Sequence, residues 1–199
     1  MTHLEALREI STFWPGASPF ESWDTSEEIR RLEAEFGRKL SAGVRLYLEN
    51  GCPRESVLLE TVGNPIEIYP ASRLGARQPG YSHDSSDAPL PDWDAAWFLI
   101  ADEGADPIAF DLNEPDSPVN RASHGMGEWS FGRFSDSAGQ FLLCAAAVHH
   151  ALTAWGPEPI TDDENGFRLK DEPAKWLFPR MKKWAGQSYD EWCSIFDNH

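Results

Sequence analysis

Cysteine, positive charge and long apolar runs are all scarce in this chain of 199 residues. Its three cysteines, Cys52, Cys144 and Cys193, stand far apart, odd in number and without Cys-x-x-Cys spacing. That excludes a disulfide framework and a zinc knuckle, and it fits reduced thiols in a cytosol. Lysine and arginine total 17 against 33 aspartates and glutamates, a formal charge of -16. Proteins that seat nucleic acid or an anionic membrane show a basic face, so neither partner is expected and a basic protein is. The longest apolar run, Phe141 to Val148, falls far short of the ~20 residues of a membrane-spanning helix. The opening Met1 Thr2 His3 Leu4 Glu5 lacks the basic start and apolar run of a signal peptide, so a cytoplasmic location is expected.

Catalytic and metal motifs are missing as well. The histidines, at positions 3, 83, 124, 149, 150 and 199, are not spaced as paired metal ligands. His149 and His150 fall on one helical segment, where at most one is expected to face inward. Ser123 beside His124 is not set in a Gly-x-Ser-x-Gly elbow, and Gly125 Met126 Gly127 lacks the third glycine of a phosphate loop. Asp162 to Gly166 lacks the ligand register of a calcium loop and reads instead as a hairpin turn. No cofactor, no metal and no catalytic residue is expected, and the nine tryptophans read as core or interface material.

What is present is organised. Thr2 with Glu5 has capping-box spacing and opens a helix whose apolar face is Leu4, Leu7, Ile10 and Phe13/Trp14, stopped by Pro15 and Gly16. Thr25 with Glu28 repeats that spacing ahead of Ile29, Leu32 and Phe36, with Gly37 as the stop. Ser41 caps a third short helix that ends at Asn50 Gly51, a pair suited to left-handed backbone. Strands are expected at Val57 to Val62 and Ile66 to Tyr69. Gly75 to Pro91, rich in Gly, Pro, Ser and Asp, reads as a long surface loop, of a length usually either functional or partly disordered. The most informative stretch is Trp97 to Leu112, two apolar runs about an acidic, glycine-containing turn, which predicts a β-hairpin offering an acidic loop to solvent. A second polar stretch, Asn113 to Gly127, reads as loop. Ser135/Asp136 caps a small-residue helix from about Ala138 to Trp155. Beyond it, Asn165 Gly166 predicts a hairpin, and the aromatics from Trp176 to Phe196 predict amphipathic pieces laid on the body.

Between Ser82 and Glu128 eleven carboxylates face one base, Arg121. Asp84, Asp87, Asp92, Asp94, Asp102, Glu103 and Asp106 are the candidate partner-binding acids of this stretch, which runs on to Asp116. They either solvate loops or form a recognition surface. Trp93 and Tyr81 are candidate apolar anchors, with a plug in the core as the other reading of Trp93.

Taken in order, Ile29, Glu33, Phe36 Gly37, Leu40, Tyr47, Leu48 and Asn50 Gly51, then Trp97 to Ala101, the turn to Asp106 Pro107 Ile108, and Phe110 Asp111 Leu112, resemble the SUKH superfamily of Smi/Knr-like proteins. The helix after Phe131 to Phe134 looks like that family's closing segment, so the likeness covers about Thr25 to Leu152. Ser41 stands where the family commonly has proline, and Ala105 where it often has glycine. Alanine enters positive φ only at a cost, so the turn's backbone shape stays open. The resemblance implies an α+β fold, a mainly antiparallel β-sheet flanked by helices, with no conserved catalytic centre. Residues 25–155 would form that core, 1–24 an N-terminal helical extension and 156–199 a C-terminal accessory hairpin and helices packed on it. Many bacterial members are immunity proteins that silence a toxin, while fungal relatives are regulatory interaction proteins linked to cell-wall synthesis. The expectation is therefore a non-enzymatic cytosolic immunity protein neutralising a toxin domain, of which a nuclease suits best. A regulatory scaffold and a hydrolase built on the acidic cluster are the other readings.

Overall fold

The computed structural model describes residues 1–114 and 117–199 and is α+β. Six strands form one antiparallel meander in sequence order: β1 Val57–Leu59, β2 Ile66–Ile68, β3 Trp97–Glu103, β4 Asp106–Asp111, β5 Val119–Arg121 and β6 Gly132–Ser135. The hairpin expected at Trp97 to Leu112 is its centre. Phe98 to Ala101 and Pro107 to Phe110 are buried without alternation, because both faces of these two strands are covered. Glu103 pairs with Asp106 across Gly104 (φ 60°) and Ala105 (φ 79°), both left-handed, the two-residue turn whose twist matches the strands. Alanine at this position costs about 1–2 kcal/mol in a left-handed conformation. Gly104 admits no side chain, since a Cβ there would lie 2.2 Å from the Asn64 amide nitrogen.

The helices are α1 His3–Phe13, α2 Ser26–Glu35, α3 Ala42–Glu49, α4 Ala138–Thr153, α5 Asp171–Trp184 and α6 Tyr189–Cys193, with a separate hairpin of β7 Ile160–Asp163 and β8 Gly166–Leu169. The capping box of α1 is closed, with the Thr2 amide donating to Glu5 at 2.7 Å and the Glu5 amide to the Thr2 hydroxyl at 3.3 Å. Its buried positions are His3, Ala6 and Ile10, and Leu4 is 41% exposed rather than part of the buried face. The second expected box does not form: the Thr25 side chain is unpaired and the Ser26 amide donates instead to Asp24, one residue earlier. At the end of α3 only Gly51 is left-handed, Asn50 being extended.

Helix α4 lies at the centre of the helical side, against α1, α3, α5 and the strands β1 and β6. Phe141 to Val148 are all buried, as expected of a helix apolar on every side. The same crowding corrects the expectation for the two histidines, both of which are half-buried. His149 stacks on Trp14, with ring centroids 5.3 Å apart, while His150 packs on Phe13 and Trp176. One continuous core runs from Ala6 to Phe196, so residues of 1–24 and 156–199 share it with those of 25–155.

Several boundaries differ from the sequence reading. The first strand stops at Leu59, short of Val62, and β5 lies inside the stretch read as loop from Asn113 to Gly127, its three residues too few to show a period. The cap of α4 is Ser137, whose hydroxyl accepts from the Gln140 amide, because Ser135 is still in β6, and the helix closes at Thr153 rather than Trp155. In the last hairpin the turn residues are Glu164 and Asn165, with Gly166 left-handed at φ 100° just after them.

Candidate functional site

The sheet face away from α4 is covered by loops, and the covering is aromatic. Tyr81 and Trp93 from the long loop, Trp97 from β3, and Trp129 and Phe131 from the β5–β6 connection form one half-buried cluster. Ring centroids within it lie 4.3 Å (Trp97–Phe131) to 6.2 Å (Trp93–Trp129) apart. Trp93 is thus neither a free-standing anchor nor a sealed core plug, but a member of a patch that closes the sheet from below and meets solvent from above.

The long loop carrying these rings has no helix or strand, yet buried polar groups organise it. The Ser82 hydroxyl accepts from the Gln78 amide at 2.7 Å and donates to the Ala76 carbonyl, and the Gln78 side-chain amide donates to the carbonyls of Arg73 and Gly75. Arg31 from α2 fixes the root of the loop, donating to the carbonyls of Ala71 and Leu74.

The candidate acids divide into distinct environments. Asp84 folds its own turn, accepting from the Ser86 hydroxyl and the amides of Ser86 and Ala88, and these bonds, led by the Ser86 hydroxyl, lower its pKa. Asp87 is paired with Arg77 and Asp94 accepts from the Ala96 amide at 2.8 Å. Asp102 lies beneath the aromatic patch, accepting from the Tyr69 hydroxyl at 2.7 Å and the Tyr81 hydroxyl at 3.0 Å. Burial first, then the Asp102 carboxylate, holds both phenols protonated well above the ordinary tyrosine range. Asp106 accepts from the amide of His124 at 2.7 Å and its Nδ1 at 2.6 Å. The hairpin turn is therefore not a free acidic loop: Gly104 and Ala105 are exposed, while Asp102, Glu103 and Asp106 are half-buried and engaged.

Strand alternation separates the two acids that end β3. Asp102 belongs to the aromatic side, whereas Glu103 accepts from the Thr61 hydroxyl at 3.1 Å and from Arg121 at 2.9 Å in a cleft beside α6. Asp116 lies outside the described residues. Around the patch, a pocket of about 320 Å³ brings Asp92 and Glu128 to the Trp129 ring and to Met126, itself 74% exposed. Among the described residues no lysine or arginine pairs with Asp84, Asp92, Asp94, Asp102, Asp106 or Glu128. The patch and its rim are consequently anionic.

The Asp106–His124 contact could orient an imidazole, but among the described residues no hydroxyl or thiol hydrogen-bonds to that ring. Nor do the described residues gather three or more histidines, cysteines, aspartates or glutamates in a metal-holding group. The three thiols are free and buried, and burial raises each pKa, to about 12 for Cys52 and Cys193. Among the described residues no helix is long and apolar enough to cross a membrane. Reading the sequence overlooked Trp129, Phe131, Met126 and Glu128 as site residues. The available signal was aromatic residues inside stretches rich in glycine and serine, where no strand or helix would bury them. No protein-family model matches the chain, and no curated protein is significantly similar to it.

Proposed function

We propose that this protein is a non-enzymatic binding module that neutralises a basic protein, a toxin domain of the nuclease kind, by occupying its positively charged cleft. The observation that carries this reading is the half-exposed cluster of Tyr81, Trp93, Trp97, Trp129 and Phe131, rimmed by Asp92 and Glu128, which pair with no lysine or arginine among the described residues. Aromatic anchors ringed by charge are the composition of interface hot spots, where the rings supply affinity and the charge supplies rate and register. Asp92 and Glu128 would meet the lysines and arginines that hold phosphates in such a partner. Asp84, Asp94 and Asp106 would contribute long-range field without leaving their turns. Association would then approach ~10^8 M⁻¹s⁻¹ at low salt and fall as salt rises. The resemblance to SUKH immunity proteins points the same way, and this reading places the protein in the cytoplasm.

The test is parallel capture from the native host with the wild-type chain and with the double variant Asp92→Asn/Glu128→Gln. The expected result is a basic protein held by the first and lost by the second at moderate salt, toxic when expressed alone and harmless when co-expressed with this chain. A partner that is acidic, or that both chains hold with the same salt dependence, would overturn the proposal.

A further inference from the structure

The pocket beside the aromatic patch is shaped for more than bulk positive charge. Its volume of about 320 Å³ lies at the small end of the range of ligand sites, roughly 300–1,000 Å³, and suits one side chain. Glycine makes the room. Gly80, Gly125 and Gly127 line the pocket, all three have left-handed backbone, and a Cβ at any of them would meet nothing within 4 Å. Other residues enter that conformation only at a cost, so the opening follows from the turns themselves.

Both walls are set before a ligand arrives. On one, the Gly80 amide donates to the His83 carbonyl at 2.8 Å and the Leu90 amide to the Ser82 carbonyl at 2.9 Å. On the other, the chain between Ser123 and Gly125 is fixed through His124, whose amide and ring both meet Asp106. A site ordered in advance loses less entropy on binding.

The lining divides by chemistry, and one kind of side chain matches each part. Leu90, half-buried, and Met126, 74% exposed, offer apolar surface. The half-buried Trp129 ring is braced by Tyr81 at 5.9 Å and Trp93 at 6.2 Å, neither of which lines the pocket, so the part of it that does is left open. Asp92 and Glu128 approach from separate loops, and among the described residues no lysine or arginine lines the pocket beside them. Arginine supplies the matching parts in order: a methylene stem for Leu90 and Met126, a flat guanidinium that stacks on indole, and a fork of N–H donors for two carboxylates. Lysine ends in a compact, strongly hydrated ammonium that gains less from an aromatic plane.

We infer that this pocket receives a single arginine side chain of the partner, its guanidinium on Trp129 between Asp92 and Glu128. The inference rests on the reading of this face as the partner-binding surface. It adds that one arginine, rather than a spread of lysines, is selected there.

Titration of ¹⁵N-labelled protein at constant ionic strength tests it, following the Trp129 indole N–H and the Ser123 and Gly127 amides after resonance assignment. The probes are the Nα-acetyl methylamides of arginine, lysine and citrulline, which share a backbone and differ in the head group. The arginine probe is expected to saturate with a Kd of about 5 mM or tighter, and the lysine and citrulline probes to bind at least about fivefold more weakly. Asp92→Asn/Glu128→Gln is expected to bring arginine down to citrulline, and Trp129→Leu to remove the preference for arginine over lysine. No saturable shift up to about 50 mM arginine probe, lysine binding as tightly as arginine, or unchanged affinity in the double variant would each overturn the inference. The titration needs no partner, so the two readings fail separately. A basic protein captured by a chain that ignores the arginine probe sinks only the pocket's assignment, whereas an acidic captured partner sinks the toxin reading and leaves the pocket's selectivity standing.

Discussion

The two faces of the central sheet are closed by different chemistry. On the helical side Phe98 and Phe110 stack at 6.2 Å beneath Tyr47 and Phe36, and the buried run of α4, Phe141 to Val148, is apolar throughout. On the loop side the cover is aromatic rings held by carboxylates, hydroxyls and backbone amides, and every ring keeps contact with solvent. A face closed by helices spends its side chains on packing. A face closed by loops must satisfy its backbone with side chains such as Asp84, Asp94 and Asp106, and it keeps its rings available to a partner. Acidic composition here thus serves the loops first and recognition second, with Asp92 and Glu128 left over for the latter.

The comparison breaks most sharply at its aromatic residues. Phe110→Ala, at a fully buried position, is expected to lower stability by about 3–5 kcal/mol, and Trp93→Ala on the loop face by no more than about 2 kcal/mol, both from urea unfolding. Equal losses would make the loop face a second core.

Next in size is Asp102→Ala, which leaves the Tyr69 and Tyr81 hydroxyls without their shared acceptor and is expected to cost about 1–3 kcal/mol. The same groups carry part of the pH dependence of stability. The folded-state pKa of each of these tyrosines is raised, so the stability they contribute is complete below the unfolded value of about 10 and declines as pH rises beyond it. His3 and His149 on the helical side have folded-state pKa values lowered by burial, and His149 Nδ1 accepts from the Glu60 amide at 3.0 Å. Their contribution is complete above about 6.5 and declines as pH falls. Stability measured against pH should therefore fall less steeply on the alkaline side in Tyr81→Phe and on the acid side in His149→Gln, and curves unchanged from the parent would refute these assignments.

Two smaller effects sharpen it. Ala105→Gly relieves the left-handed alanine of the turn and is expected to raise stability by about 1 kcal/mol in thermal unfolding, less whatever the freer unfolded chain takes back. Tyr47→Phe is expected to be neutral or to gain up to about 1 kcal/mol. Among the described residues the buried Tyr47 hydroxyl has at most the weak Cys52 thiol beside it, unlike the two phenols that meet Asp102.

Periodicity and caps made the helical side legible in advance: Thr2 and Glu5, the Ile29–Leu32–Phe36 stripe and the apolar run of α4 all carry local signals, and so does the hairpin about Gly104. The loop face carried few. That Trp129 reaches Tyr81 across 48 positions follows from how the meander folds back, and β5 is too short to announce itself. The acids could be counted, but their partners could not. Alternation along β3 puts Asp102 and Glu103 on opposite sides, but which side each one takes depends on the bulge between Leu99 and Ala101 and on what each side meets.

Gly139 in α4 has the His3 backbone against it, where an added Cβ would lie only 2.7 Å from the His3 Cα. With the first helix wedged there and α5 pressed on another flank, α4 meets water only toward its ends, at Gln140, His149, His150 and Thr153. Peeling away α1 or α5 would expose part of the buried run from Phe141 to Val148. α1 and α5 are therefore expected to open together with α4, their amide protons exchanging at the rate set by global unfolding.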